Sequence, residues 1–163
     1  MQKKQHLLKL RILTGLIAIL SMVCVLSSCS GKTGTATDES NYRVIKDMWD
    51  REVKVKKDIK TAVIMEWEGL ATKSMKVFGL EKNIIGVDNS AKKNIFRKQI
   101  APVIEKVPGV GSPYSGVNYE QVAKLKPDIV FMELWVTNQT EKDMHEAAIK
   151  KIEGLGIPGV YLI

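Results

Sequence analysis

Two short stretches place carboxylates and an indole where an apolar run stops. Ala62-Val63-Ile64-Met65 runs into Glu66-Trp67-Glu68, and Ile129-Val130-Phe131-Met132 into Glu133-Leu134-Trp135. A third, Ser112-Pro113-Tyr114-Ser115, brings a phenol and two hydroxyls after the extended Val107–Gly111 segment. The chemistry open to these sets is recognition. Indole and phenol rings offer much contact area at low side-chain entropy cost, as a binding surface needs. Glu66, Glu68 and Glu133 suit hydrogen bonding to a ligand or attraction of a cation; taken singly, each also reads as a solvated loop charge.

Bond-making sets are thin. The histidines are His6 and His145, and the cysteines Cys24 and Cys29. His145 falls among Asp143, Glu146 and Lys150, which reads as a solvated helix face. Zinc and related metals favour several His or Cys ligands, which the chain beyond Cys29 cannot supply. Gly109-x-Gly111 lacks the third glycine of a dinucleotide fingerprint. Ser90-x-x-Lys93 has the S-x-x-K form without a companion motif. Asn138-x-Thr140 is a glycosylation sequon in form, with Thr140 better used as a helix cap. No catalytic residue, metal ligand or cofactor is assigned.

The elements that must carry these residues follow from hydrophobic period. Val44-Ile45 and Val53-x-Val55 flank a polar centre from Asp47 to Glu52 and predict a small β-hairpin with Trp49 as a packing residue. From Thr61 the pattern alternates between strand and helix. Thr61 to Met65 is a strand; Leu70, Ala71, Met75 and Phe78 recur at helical spacing, closed by Gly79. Ile84 to Val87 is a second strand, and the polar, basic segment from Asp88 to Gln99 has no assigned form. Asn118 caps a helix with Gln121 three residues on, ending before Pro127. Ile129 to Met132 is a strand of the kind buried on both faces. Met144, Ala148, Ile152 and Leu155 form the stripe of the next helix, which Gly156 ends before the strand from Val160 to Ile163. Strand–helix–strand repeats argue for a parallel βαβ crossover and an α/β, doubly wound, mostly parallel sheet preceded by the hairpin. In such sheets ligands gather outside the carboxyl ends of the strands. Trp67, Tyr114 and Trp135 are expected along that edge, with Glu66, Glu68, Ser115 and Glu133 beside them. The final strand has no helix after it to cover it, so the chain reads as a fragment of a longer protein.

The start of the chain reads as a leader. Lys3, Lys4, Lys9 and Arg11 precede a nearly all-apolar run from Ile12 to Leu26, shorter than the roughly 20 residues a membrane-spanning helix needs. Leu26-Ser27-Ser28-Cys29 resembles the lipobox of bacterial lipoproteins, which implies a signal peptide over 1–28 and lipidation of Cys29. Residues 29–41, small and polar, then form a tether, and 42–163 the folded lobe. The formal charge of the chain is +7, and removal of the leader's four cations leaves +3. That modest value argues against a nucleic-acid partner.

The order of motifs resembles a known family. The hairpin from Val44 to Val53, Phe78-Gly79-Leu80 with Ile84-Ile85-Gly86-Val87, Val110-Gly111, Asn118-Tyr119-Glu120-Gln121-Val122-x-x-Leu125-Lys126-Pro127-Asp128-Ile129-Val130 and Leu155-Gly156-Ile157-Pro158-Gly159-Val160-Tyr161 look like the iron-complex and cobalamin class of substrate-binding proteins of ABC importers. Asp50 and Lys57 depart from a usual glycine and proline in the hairpin, and Glu66-Trp67-Glu68 from small polar residues. The resemblance implies two α/β lobes joined by a long helix, with ligand in the cleft between them; this chain is the first lobe. It implies capture of an iron chelate, haem or corrinoid outside the cell membrane and delivery to an ABC permease, with the lipid on Cys29 as membrane anchor. Glu120 matches the glutamate that docks onto permease arginines. The competing expectation is a secreted α/β enzyme, hydrolase-like, with catalytic residues beyond this sequence.

Overall fold

The computed structural model describes residues 39–133 and 135–162. The expected signal peptide, Cys29 and most of the tether lie outside the described residues, as do Leu134 and Ile163. The last tether residues, Glu39–Asn41, form a single 3-10 turn.

The hairpin forms as its two valine-bearing runs predict. β1 (Tyr42–Lys46) pairs antiparallel with β2 (Glu52–Lys56), Tyr42 opposite Lys56 and Lys46 opposite Glu52. Asp50 takes φ +59 in the turn. That left-handed conformation is why a glycine suits the position and why aspartate, among the side chains, is tolerated there.

The chain then runs β3 (Ala62–Met65), α1 (Leu70–Val77), β4 (Ile84–Val87), α2 (Ile95–Ile100), α3 (Val103–Lys106), β5 (Gly111–Ser112), β6 (Gly116–Val117), α4 (Tyr119–Leu125), β7 (Ile129–Glu133), α5 (Gln139–Gly154) and β8 (Gly159–Leu162). β4, β3, β7 and β8 lie side by side in that order and are parallel throughout. All four residues of β3 are buried, as a strand covered on both faces requires. The period-2 pleat divides them. Val63 and Met65 join Val130, Met132 and Tyr161 under α4 and α5, while Ile64, Ile84 and Val87 pack on the other face against Ala71 of α1, Ala101 and Ile104. Helices thus cover both faces, the doubly wound arrangement expected.

The open edge of β8 is closed by the hairpin turn, which blunts an otherwise exposed ladder. Met48 N–H donates to Tyr161 O at 3.3 Å, and Arg51 bonds Gly159 O at 2.8 Å, Asp47 at 2.9 Å and Glu153 at 3.0 Å. Burial pushes the Asp47 carboxyl up, but bonds from Arg51, Trp49 and Tyr161 win and hold it below the usual carboxylate range. Trp49 packs on Tyr161 with ring centroids 4.9 Å apart, the packing role its position predicted.

Three local expectations are corrected. Asn138, not Thr140, caps α5: its side chain accepts the Glu141 N–H at 3.0 Å. Asn ranks above Thr as a cap, and Glu141 supports the same start by accepting the Thr137 N–H at 2.7 Å. The buried stripe of α5 is His145, Ala148, Ile149 and Ile152. Met144 and Leu155 face outward, because Leu155 lies just past the helix end and cannot continue its face. His145 is therefore not on a solvated face. The segment after Asp88, to which the sequence assigned no form, is a 3-10 turn at Ala91–Lys93 followed by α2. Lys92 Nζ satisfies the end of α3 by donating to the carbonyls of Ile104, Glu105 and Val107 at 2.7–2.9 Å.

Candidate functional site

The residues that end β3, β4 and β7 meet at the carboxyl edge of the sheet, and the two Met-Glu junctions have a common physical cause. Glu66 is buried and turned into α1, whose first N–H groups have no partner within the helix. Its carboxylate accepts from Ala71 N at 2.7 Å, from Thr72 N at 3.2 Å and from the Thr72 hydroxyl. Gly69, the formal cap at φ +81, has no side chain for this task. Burial pushes the Glu66 carboxyl up, partly offset by Thr72, Arg97 and Ala71. Glu133 is also buried and accepts from Trp67 N at 2.5 Å and Glu68 N at 2.6 Å. Neither is the solvated loop charge that a lone glutamate suggests; Glu68 alone of the three is exposed.

Sequence reasoning passed over Arg97. Its guanidinium is buried, pairs with Asp88 at 3.0 Å and donates to the Trp67 carbonyl. Asp88 in turn accepts from Ser90 N at 2.7 Å and Ala91 N at 2.9 Å, and Ser90 Oγ is bound to it as well. Ser90 is therefore committed to a turn, and its S-x-x-K spacing to Lys93 has no nucleophilic use. The signal for Arg97 was faint: an arginine in a basic segment reads as exposed, and its partner lies across a turn nine positions back.

The aromatic residues converge. Trp67, Tyr114 and Trp135 line one cavity of about 400 Å³. Trp67 and Trp135 remain 59% and 58% exposed, so they form a wall rather than folding under a loop. Tyr114 is carried on the β5–β6 turn and fixed twice: its hydroxyl donates to Trp135 O at 2.5 Å, and its ring meets His145 edge-on at 4.9 Å. Burial, with Glu141 and Glu133 adding to it, raises the Tyr114 phenol despite the Trp135 bond, which keeps the hydroxyl protonated as a donor. A second cavity of about 280 Å³ shares Trp67 and Tyr114 and is lined by Glu66, Asp88, Lys93, Ser115 and Glu133 among others. Ser115 lies within it, its hydroxyl 2.9 Å from that of Ser112. Gly111, at φ +78, permits this turn; a Cβ there would meet the Gly116 carbonyl at 2.0 Å. Gly111 thus serves a tight hairpin, and Gly109 lies against Asn89, whose Oδ1 a Cβ would meet at 2.2 Å.

Glu120 lies apart from both cavities, exposed on the first turn of α4. Asn118 caps that helix by accepting the Gln121 N–H at 2.9 Å, while its own N–H goes to Val110 O, so the reciprocal arm of a capping box is not used. Among the described residues the Glu120 side chain has no ion-pair or hydrogen-bond partner. The same residues contain no group of His, Cys, Asp and Glu placed to hold a metal ion, and no helix long and apolar enough to cross a membrane.

His145 is fully buried at 0% exposure, and neither ring nitrogen finds a partner. Burial pushes its imidazole below the usual value, partly offset by Glu141. The unfolded chain therefore takes up a proton at a pH where the folded one does not. The stability that neutral His145 allows is complete above about pH 6.5, the unfolded value. Below it, stability falls by up to about 1.4 kcal/mol per pH unit until the folded imidazole titrates. We expect the denaturant midpoint to drop between pH 7.5 and 5.5, and less so in His145→Leu, an apolar replacement of similar size; equal drops in both proteins contradict this reading.

No protein-family model matches the chain. It is 32% identical over 143 residues to the molybdate-binding protein MolA of Haemophilus influenzae, covering 86% of this chain and 36% of that protein. Among solved structures, a periplasmic solute-binding protein of Veillonella parvula superposes with a TM-score of 0.60 at 34% identity, over 75% of this chain and 35% of the other. Molybdate-bound MolA gives 0.59 at 30% identity, over 74% and 34%. A petrobactin-binding protein of Bacillus subtilis, at 21% identity and a TM-score of 0.54, shares the fold. The chain thus spans about a third of the length of the proteins it matches. Those proteins are periplasmic binding proteins of the ABC-importer type, and the parallel four-stranded α/β lobe matches their fold.

Proposed function

We propose, on the premise that this chain is part of a periplasmic solute-binding protein of the kind ABC importers use, that it supplies one wall of a ligand cleft and captures a bulky organic metal complex: an iron chelate, haem or corrinoid. One observation carries the reading: Trp67, Tyr114 and Trp135 line a single cavity at the carboxyl edge of the sheet. Stacked rings gain dispersion and apolar burial from a flat or bulky partner. The function is capture and delivery without bond chemistry. In this reading Cys29 carries the lipid that holds the protein at the outer side of a membrane, and Glu120 docks onto arginines of the permease.

A second reading, an oxyanion ligand, is favoured by the likeness to a molybdate-binding protein. The local charge supports it less well. The smaller cavity is lined by three carboxylates, Glu66, Asp88 and Glu133, and among the described residues by one cation, Lys93. Asp88 is paired with Arg97, and Glu66 and Glu133 accept backbone N–H groups, so Lys93 is the one cation of that lining, among the described residues, left to meet an anion.

Titration of the full-length protein, followed by tryptophan emission, separates the readings. Hemin, a ferric tris-catecholate and cyanocobalamin are the organic probes, and molybdate the oxyanion. Saturable quenching by at least one organic complex supports the first reading, and a response to molybdate alone overturns it.

A further inference from the structure

The geometry points to Glu133 and Arg97 as a pair of positioning residues that set where Trp67 stands in the cleft wall, an inference that rests on the proposed ligand role of that indole. The main chain at Trp67 is gripped from both sides. Glu133 Oε2 accepts its N–H at 2.5 Å and that of Glu68 at 2.6 Å, while Arg97 donates to its carbonyl. The two grips come from far apart in sequence, one from the end of β7 and one from α2, and each is itself fixed. Arg97 is anchored on Asp88 at 3.0 Å, and Asp88 also accepts from Glu66 N at 3.4 Å.

Charge is the informative part. Trp67 is 59% exposed as a residue, yet the side chains that hold its main chain, Glu133 and Arg97, are buried. Buried charged partners cost desolvation unless the geometry is well matched. What the charges add is strength and direction, since charge-assisted hydrogen bonds are shorter and roughly twice as strong as neutral ones. The loop's sequence fits the same purpose. Gly69 is left-handed at φ +81, a conformation that side chains rarely adopt, and a Cβ there would make only ordinary contact with Arg97 Nε at 3.4 Å. Lys73 adds a third tie, donating to Glu68 O at 3.0 Å. Meanwhile Glu66 fixes the start of α1 on the far side of the loop. Holding the indole in place before the ligand arrives lowers the ordering cost of binding.

The test uses the full-length protein and two readouts: amide hydrogen exchange at Trp67 and Glu68 without ligand, and affinity for hemin, a ferric tris-catecholate and cyanocobalamin. Glu133→Ala is expected to speed exchange at both amides by tenfold or more and to weaken whichever probe binds by a similar factor. Glu133→Gln, which keeps a carbonyl acceptor but not the charge, is expected to restore only part of both. If Glu133→Ala does not fold, Arg97→Lys carries the same test, because an ammonium retains a charge for Asp88 but not the fork that reaches both acceptors. Wild-type affinity in variants whose loop amides exchange fast overturns the positioning role alone, as does unchanged exchange. Wild-type protein that binds none of the three probes overturns the ligand reading, and the positioning role falls with it.

Discussion

Trp67→Ala in the full-length protein is expected to weaken ligand binding by about 30-fold, the factor that corresponds to the roughly 2 kcal/mol lost at a binding hot spot. The indole is exposed and shares a cavity with Tyr114 and Trp135, while its backbone is held by Glu133 and Arg97. Truncation therefore removes the ring and leaves the loop. Trp135→Ala is expected to act by a similar factor, with one difference: Trp135 also holds Tyr114 through its carbonyl, a bond that the side-chain change leaves in place. Because the rings share one cavity, the double variant should not be the simple product of the two. Isothermal titration with the probe that binds wild type checks this. Wild-type affinity in all three variants means the ligand does not touch this wall.

Glu120→Arg is expected to abolish uptake while leaving ligand affinity unchanged. Glu120 is exposed near the start of α4 and outside both cavities. A carboxylate there is favoured by the helix dipole, and its reversal costs the helix only about 0.3–1 kcal/mol, too little to unfold the lobe. Across an interface, however, a reversed charge facing arginines repels instead of pairing, which costs several kcal/mol. Uptake of labelled ligand by cells carrying the variant, set beside the purified protein's affinity, gives the two numbers. Normal uptake removes Glu120 from the docking surface; a parallel loss of affinity places its effect in the lobe itself.

The architecture was legible because its signals are local. Continuous apolar runs at Ala62–Met65 and Ile129–Met132 mark strands covered on both faces, and left-handed glycines at Gly79 and Gly156 mark helix ends. The edge to which Trp67, Tyr114 and Trp135 belong followed from the topology rule for open α/β sheets. What stayed hidden depends on contacts between residues distant in sequence. His145 lies on the buried face with Ala148, Ile149 and Ile152 and meets Tyr114 from another element, whereas the apolar residues alone placed the stripe of α5 through Met144 and Leu155. Both glutamates of the Met-Glu junctions line a cavity, and each also holds local structure: Glu66 serves orphan N–H groups of α1 and Glu133 serves the loop after β3. A carboxylate's partner is not written beside it in the sequence. The cap of α5 was read at Thr140 and lies at Asn138, a two-residue slip that arises because both residue types cap helices.

The claim that the aromatic wall receives an organic metal complex is tested most directly by asking which tryptophan feels the ligand. Trp49 provides the control, because it packs on Tyr161 beside β8, away from both cavities. In full-length protein titrated with hemin, a ferric tris-catecholate and cyanocobalamin, the account predicts saturable emission quenching. That quenching should shrink in Trp67→Phe and Trp135→Phe and persist undiminished in Trp49→Phe. Quenching that is lost only in Trp49→Phe, or that molybdate alone produces, contradicts it.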